Sequence, residues 1–479
     1  MAFRRGAAAP AAGAALSTLA GREVSIVGAG LAGALLALLL ARRGLRVALY
    51  ERRPDPRQAQ PERGRSINLA LAARGLRALE RAAVMPRVQP LLIAMRGRMV
   101  HERGGHAALQ AYGQREHEVI WSVGRAELNR VLIEAAARHA GVAVRFSQQC
   151  LGADASLRQL SFRDIGSGRE YQLPLSPTIA TDGAGSAIRA GLGAAGLLQV
   201  REEWLDHDYK ELTIPAQSAA ALERHALHIW PRGGFMLIAL PNTDGSFTAT
   251  LFLARAGPVS FAALATAQTV RDFFSREFAD ALPLLPDLPA QFAAHPQGQL
   301  GTVHAAPWHL RGDVLLLGDA AHAIVPFHGQ GMNAAFEDCT ELDALLIPPR
   351  VDWEELFTRF EQARRPNATA IAQMALENYL EMRDAVLDGS FLRRKELAMA
   401  LERRFPDRFI PRYSMVMFHP EISYAEAQRR GALQEQLLHE LDQAGGGDAA
   451  AGSSLAERLV SARLTPLAVG RPAASPTHD

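Results

Sequence analysis

The most chemically loaded stretch of the sequence is Gly318-Asp319-Ala320-Ala321-His322, followed by Pro326-Phe327-His328-Gly329-Gln330-Gly331-Met332-Asn333. A carboxylate behind a glycine, ahead of a second glycine-rich loop, offers backbone N–H groups to a ligand at close range. The apolar run Val314-Leu315-Leu316-Leu317 reads as a buried strand that delivers Asp319 to a sheet edge. A helix starting near Met332 would direct its positive end to the same place. Donors and a dipole arranged in this way suit a flavin.

A second constellation, Gly28-Ala29-Gly30-Leu31-Ala32-Gly33, lies between the strand-like Val24-Ser25-Ile26-Val27 and an apolar helix from Leu35 to Leu40. A further strand, Val47-Ala48-Leu49-Tyr50, ends at Glu51. Strand, glycine turn, helix, strand and terminal carboxylate form the dinucleotide fingerprint. The glycines allow a tight turn and close approach of a pyrophosphate, the helix start binds the anion, and the carboxylate meets ribose hydroxyls. Gly191-Leu192-Gly193-Ala194-Ala195-Gly196 has the same glycine spacing but no preceding strand and no following carboxylate, and reads as a flexible loop. Between the two constellations, Asp182-Gly183-Ala184-Gly185-Ser186, with Arg189 following, comes after the stretch Pro177 to Thr181.

The remaining composition narrows the class. The 479 residues are 48% hydrophobic, with a mean hydropathy of -0.03, enough to bury a sizeable core divided between two or more units. Fifty-two basic against fifty acidic residues leave a formal charge of +2, so no broad polyanion-binding surface and no nucleic-acid partner are implied. Lys210 and Lys395 are the only lysines, an arginine bias read as genomic. Cys150 and Cys339 are far apart and lack ligand spacing, which argues for a reducing cytoplasm and against a disulfide scaffold or a metal site. Met1 to Gly21 reads as a disordered, Ala-rich extension rather than a signal peptide, and no run is long and apolar enough to span a membrane. Gly445 to Ser454 reads as a linker, and the end of the chain, 461–479, as a disordered tail.

The three glycine–acid signatures, in this order over some 300 residues, resemble the flavoprotein aromatic hydroxylases. Longer strings narrow the resemblance to the kynurenine 3-monooxygenase branch of that family: Gly64-Arg65-Ser66-Ile67-Asn68-Leu69-Ala70-Leu71, Glu211-Leu212-Thr213-Ile214-Pro215, Leu227-His228-Ile229-Trp230-Pro231-Arg232, Ile324-Val325-Pro326-Phe327, Asn378-Tyr379-Leu380-Glu381-Met382-Arg383 and Phe409-Ile410-Pro411-Arg412-Tyr413. The resemblance implies an α/β fold: a Rossmann-like FAD-binding domain with an inserted antiparallel-sheet substrate domain and a helical C-terminal part. The implied segments are 22–200 for the first FAD-binding part, with 91–119 contributing to the substrate pocket, 201–299 for the substrate sheet, 300–375 for the second FAD-binding part, and 376–460 for the helices.

The implied FAD contacts are Gly28, Gly30, Leu31, Gly33, Glu51, Arg53, Arg125, Asp182, Gly318, Asp319, Gly331, Met332 and Asn333. By the same resemblance, Arg98, Tyr112, Asn378 and Tyr413 hold the amino-acid end of the substrate, a guanidinium fork suiting a carboxylate. Leu227, Ile238, Leu240 and Phe252 face its ring. Pro326, Phe327, His328 and Gln330 close the flavin side as the catalytic loop. Taken one by one, these residues read differently: Arg98 as a surface arginine, Tyr112 as a loop aromatic, Asn378 as a solvated helix position, Tyr413 as core, Arg125 as a helix-cap arginine. His328 stands open between general base and pocket wall, and His322 reads as structural. The runs Phe235 to Leu240 and Ser246 to Phe252 read as a hairpin joined by Pro241-Asn242-Thr243-Asp244-Gly245.

The activity implied is hydroxylation of L-kynurenine to 3-hydroxykynurenine with NADPH and O2, through a flavin C4a-hydroperoxide. No second nucleotide fold is legible for NADPH. Relatives in eukaryotes carry a C-terminal membrane anchor, and the Ala-, Gly-, Ser- and Pro-rich end here departs from that pattern, favouring a free cytoplasmic enzyme. Oligomeric state stays open, a homodimer included. The alternatives are a hydroxylase for a different aromatic acid and a flavoprotein of another class. The second is disfavoured by the absence of lysines from the pocket segments.

Overall fold

The computed structural model describes residues 17–18, 23–58, 68–347, 350–385, 389–445 and 450–467. Most of the proposed N-terminal extension, Gly64 to Ile67 of the motif strings, the centre of the linker and the end of the tail lie outside the described residues.

The first sheet has the strand order His309–Leu310, Val314–Leu316, Thr178–Ala180, Glu23–Val27, Arg46–Tyr50, Val142–Arg145. All neighbours run parallel except the short first strand. Its strands are continuous apolar runs because helices cover the sheet, with Leu31–Arg42 buried almost all round. In the register, Ala180 lies between Val27 and Leu316. Three adjacent parallel strands therefore end side by side, and the residues that follow them are Gly28, Thr181-Asp182 and Gly318-Asp319. Chain connections leave the central strand in opposite directions, which opens a crevice at these carboxyl ends.

A seven-stranded sheet, mainly antiparallel, has the order Gln297–Ala306, Gln199–Ile214, Phe247–Ala254, Met236–Pro241, Ala226–Pro231, Gly97–His101, Ala107–Ala111. The hairpin read from sequence is present as Met236–Pro241 and Phe247–Ala254. Gly97–His101 joins parallel to Ala226–Pro231 and sets Arg98 beside Leu227.

The long helix Trp353–Leu380 starts at an Asp352 cap, whose side chain accepts the Glu354 and Glu355 N–H groups, and continues into a π-helical turn at Glu381–Ala385. Helices Gly389–Arg404, Arg412–Phe418, Tyr424–Gln443 and Ser454–Arg463 complete the C-terminal part. One hydrophobic cluster joins this part to the sheet, taking Leu227, Met236 and Phe252 from the sheet and Met374, Tyr379 and Met415 from the helices.

Two sequence expectations are corrected. The first four residues of the glycine repeat expected to be a loop, Gly191 to Ala194, belong to helix Ala187–Ala194, where Ser186 caps the Arg189 N–H and Ile188, Arg189 and Leu192 are buried, and Gly196 follows the helix with φ +70°. The cap and the apolar face outweigh the glycines. The tail begins later than 461: Leu464 is buried and the Leu467 N–H donates to the Asp407 carbonyl at 2.7 Å.

Candidate active site

One cavity of about 830 Å³ runs from the carboxyl ends of the parallel strands to the face of the large sheet beneath the helical part. At its first end, helices Leu31–Arg42 and Gly331–Leu345 both begin with no side-chain cap, at Gly30 and Gln330 respectively. Gly30, Leu31, Gly331 and Met332 line the cavity there, with Arg125 and Asp319. First-turn N–H groups of two helices thus face one space.

The glycines are fitted to this arrangement. Gly28 has φ +100°, and a Cβ on it would stand 2.6 Å from the Thr181 carbonyl oxygen. A Cβ on Gly33 would stand 1.9 Å from the Gly28 carbonyl oxygen, where helix and strands cross, whereas at Gly30 it would meet nothing within 4 Å. Asp182 has one buried carboxylate oxygen, Oδ1, without a partner, while Oδ2 accepts the Ala187 N–H at 2.9 Å. Burial raises the Asp182 pKa against opposing hydrogen bonds from Ser186 and backbone amides. Glu51 accepts from the Ala29 N–H at 2.8 Å and from Arg53 Nε at 2.9 Å. Burial opposes the charged carboxylate, but Arg53 and these amides hold Glu51 below the usual carboxylate range. Uncapped helix starts and glycine clearance at the cavity fit FAD.

Two buried polar assemblies fix these loops. Arg189 donates to the Ala320 carbonyl at 2.9 Å and to the Ala184 carbonyl, tying the second signature to the third. Asp338 accepts from His322 Nε2 and Arg364 Nε, each at 2.7 Å, and from the Gly318 N–H at 3.2 Å. His322 is accordingly structural, as expected. Its and Arg364's charge holds the fully buried Asp338, against the cost of burial, down to about 2.

At the other end of the cavity Arg98, 7% exposed, sits with its guanidinium carbon 5.0 Å from the Tyr413 ring centroid and 5.7 Å from that of Tyr112. The two tyrosine rings stack at 5.7 Å. Glu381 approaches Arg98 Nη1 at 3.5 Å from the π-helical turn. A buried cation without compensation is costly. Burial here is outweighed by Tyr413, Tyr112 and Glu381, and the Arg98 pKa is raised. Burial likewise raises both phenols, which stay protonated as O–H donors. Fixed guanidinium and phenol donors in a half-closed space can hold a carboxylate.

Between the two ends, Leu227, Ile238, Leu240 and Phe252 line one wall, and Pro326, Phe327 and His328 line the side toward the glycine-rich end. Met236 and Thr250 also line it and were missed. Met236 shares a strand face with Ile238 and Leu240 by simple alternation, so the period of two would have found it. Glu381 and Met382 were missed because a π-helical turn has no sequence period.

Gly28, Gly33, Glu51, Arg53, Asp182 and Gly318 do not line the cavity, and three further predicted residues turn their side chains into a packed layer behind it. Asn378 does not line the cavity: its Nδ2 donates to the Phe327 carbonyl at 2.7 Å and to Met382 Sδ at 3.2 Å. The Gln330 side chain turns away, accepting from Tyr424 Oη at 2.6 Å and donating to Met417 Sδ at 3.0 Å. Asn333 spends its amide on Ala72 N, Ala70 O and Gly329 O, at 2.8–2.9 Å. In each case helix geometry points the side chain into a packed layer rather than into the cavity, and the amide satisfies backbone groups there.

His328 stacks on Tyr413 at 5.4 Å and is buried. Burial, with the positive charges of Arg98 and Arg412, depresses it from 6.5 to about 3. It is therefore neutral at ordinary pH and a poor proton acceptor, which favours the wall reading over the general base. The folded-state pKa lies below the unfolded value, so the contribution to stability is complete above about pH 6.5 and declines toward pH 3 as the unfolded chain takes up the proton first. His101, lowered to about 4 chiefly by burial, acts in the same sense. Urea midpoints should therefore fall between pH 6.5 and 4, and a His328→Asn variant should fall less steeply.

Comparison with known proteins agrees with this architecture. Residues 22–375 match the family model described as an FAD binding domain. The chain is 51% identical over 421 residues to a kynurenine 3-monooxygenase of Stenotrophomonas maltophilia (strain K279a), covering 88% of this chain and 92% of that protein. It is 47% identical over 454 residues to the enzyme of the same name from Xanthomonas axonopodis pv. citri (strain 306), covering 94% and 99%. Among solved structures, 2-methyl-3-hydroxypyridine-5-carboxylic acid oxygenase superposes with a TM-score of 0.62 at 18% identity, over 78% of this chain and 95% of the other. The p-nitrophenol 4-monooxygenase of Pseudomonas putida DLL-E4 gives 0.61 at 18% identity, over 89% and 99%. These two likenesses speak for the fold alone. The domain match and the extent of identity establish that the chain belongs to the kynurenine 3-monooxygenase family of FAD-dependent monooxygenases.

Proposed function

We propose that this protein hydroxylates the aromatic ring of L-kynurenine at position 3, with NADPH and dioxygen as co-substrates. The observation that carries the reading is the set of buried Arg98 and Tyr112 with half-buried Tyr413, closing one end of a cavity whose other end is the flavin cradle. FAD, held by Gly28 to Gly33, Asp319 and the Gly331-Met332 helix start, supplies the electron transfer from NADPH and the activation of dioxygen. The protein's own residues orient and enclose.

Arg98 takes the substrate carboxylate through its planar fork, and Tyr112 and Tyr413 donate phenolic hydrogens to the same group. Leu227, Met236, Ile238, Leu240 and Phe252 fix the ring plane by contact. Pro326 to His328 form the opposite wall, so the ring sits between an apolar sheet face and the flavin. Water excluded from this space keeps reduced oxygen from escaping as hydrogen peroxide.

Asn378 acts as a positioning residue on this reading. Its amide holds the Phe327 carbonyl, and Phe327 in turn stacks on Tyr379 at 4.0 Å. Removing the amide leaves a buried carbonyl unpaired, at about 1–3 kcal/mol of stability. Asn378→Ala should therefore raise the fraction of NADPH consumed as hydrogen peroxide more than it weakens substrate binding. A purely structural role would lower stability without changing that fraction.

The direct test is NADPH oxidation by the FAD-loaded protein with and without L-kynurenine, quantifying 3-hydroxykynurenine against hydrogen peroxide. Strong stimulation by L-kynurenine with product matching NADPH consumed is expected. Equal stimulation by unrelated benzoates would overturn the assignment and favour a different aromatic acid.

A further inference from the structure

We infer that the exposed indole of Trp204 is the platform on which the nicotinamide ring of NADPH stacks as it reaches the flavin. The inference rests on the NADPH-using reading above and adds a site for the second dinucleotide. Among the described residues the parallel sheet offers one dinucleotide crevice, at Gly28 to Gly33, which FAD takes. A reduced dinucleotide must then meet the flavin from the rim of the cavity, and its nicotinamide needs a flat surface there.

Trp204 is 55% exposed, the one aromatic among the exposed large hydrophobic side chains of the described residues, and it lines the cavity. An indole so exposed inside a cavity leaves its ring surface open to a flat partner. The indole is seated: Trp204 pairs with Gly301 across the strands, and a Cβ on Gly301 would stand 2.6 Å from the indole Cε3. The missing side chain at 301 lets the ring lie flat on the backbone. The register shift between Trp204 and Asp208 turns the strand at this point.

The location matches the task. Gly301, Val303 and Ala323 belong to the same cavity lining, and the Val303 N–H donates to the Ala323 carbonyl at 2.8 Å. That hydrogen bond ties the strand under Trp204 to the segment leading out of Asp319. The strand of Trp204 lies four strand positions from that of Arg98 in the same sheet, on the order of 19 Å at ~4.8 Å per strand. Platform and carboxylate grip are therefore separate subsites of one cavity. An indole face gives the nearly planar dihydronicotinamide a broad van der Waals contact, and the electron-poor, cationic ring of the oxidised form adds a cation–π component.

The test uses FAD-loaded protein with Trp204→Ala and Trp204→Phe. Anaerobic mixing with NADPH separates its Kd from the limiting rate of flavin reduction. Titration with NADP+, and with 2'-phospho-ADP-ribose, which lacks nicotinamide, gives binding without turnover. Trp204→Ala should weaken NADPH and NADP+ about tenfold, as loss of a stacked aromatic surface does. Trp204→Phe should recover most of that, and 2'-phospho-ADP-ribose and L-kynurenine should bind as before. Unchanged affinity for both dinucleotides would overturn the site. So would equal weakening of 2'-phospho-ADP-ribose, or a loss confined to the limiting reduction rate, which would assign the indole to the flavin's own ring. Failure of NADPH to reduce the unsubstituted protein would overturn the functional reading and this site with it.

Discussion

Arg98→Ala should lower kcat/KM for L-kynurenine by at least about 30-fold, mostly through weaker substrate binding, while the protein stays folded and yellow. Truncating one partner of a desolvated, hydrogen-bonded charge pair costs about 2–5 kcal/mol, and every tenfold change corresponds to about 1.4 kcal/mol. The residue is remote from the FAD cradle, so flavin content should not change. Arg98 is also surrounded by compensating groups, Glu381 at 3.5 Å and the faces of two tyrosines. Glu381 is already 28% exposed with Arg98 in place, so removing the guanidinium does not strand it in the core. Arg98→Lys retains the charge but lacks the planar fork, and should fall between Ala and the unsubstituted protein. Steady-state kinetics with product quantification, alongside the flavin-to-protein absorbance ratio, checks all three statements.

The second large effect separates two glycines of one turn. Gly33→Ala places a methyl 1.9 Å from the Gly28 carbonyl oxygen and 2.5 Å from Thr181 Oγ1. The helix and the strand ends must move apart, so this variant should lose nearly all its FAD and also unfold more easily without cofactor. Overpacking of this kind costs about 1–3 kcal/mol or more. Gly30→Ala meets nothing within 4 Å, so its cofactor-free stability should match the unsubstituted protein. Its methyl nevertheless stands at the uncapped helix start, where a pyrophosphate must come close to the backbone. FAD affinity should fall for Gly30→Ala with no change in cofactor-free melting temperature. Calorimetry of the stripped proteins and FAD titration distinguish the two behaviours, and equal stability losses would contradict the clearance read at these positions.

Much of the cradle was legible because each signature follows an apolar strand, and parallel strands that pair side by side deliver their ends to one edge. The adjacency of Val27, Ala180 and Leu316 is the physical form of that expectation. The hairpin carrying Ile238, Leu240 and Phe252 was legible from alternation and from the turn residues Pro241 to Gly245.

What escaped the sequence depended on contacts between distant segments. Whether Asn378 faces the cavity or the Phe327 carbonyl is decided by how the long helix lies on that loop. Gln330 is drawn away by Tyr424, which stands 94 residues later in the chain. The glycine repeat near 191 was misjudged because capping by Ser186 and burial of Ile188 and Leu192 are tertiary facts. Glu381 owes its approach to Arg98 to a π-helical turn that local propensity does not announce. The hairpin face was thus partly readable, with Met236 and Thr250 overlooked, and the side chains of Asn378, Gln330 and Glu381, placed by helix packing, were not.

The most direct measurement is the binding of two ligands to two proteins: L-kynurenine and its decarboxylated analogue, each titrated into unsubstituted protein and Arg98→Ala with FAD in place. If a guanidinium fork grips the carboxylate, the unsubstituted protein should prefer L-kynurenine by about 100-fold. That preference should collapse to near unity in the variant, because ligand change and substitution remove the same contact. A preference of equal size in both proteins would show that Arg98 does not hold the carboxylate, and the assignment of the cavity's two ends would fail.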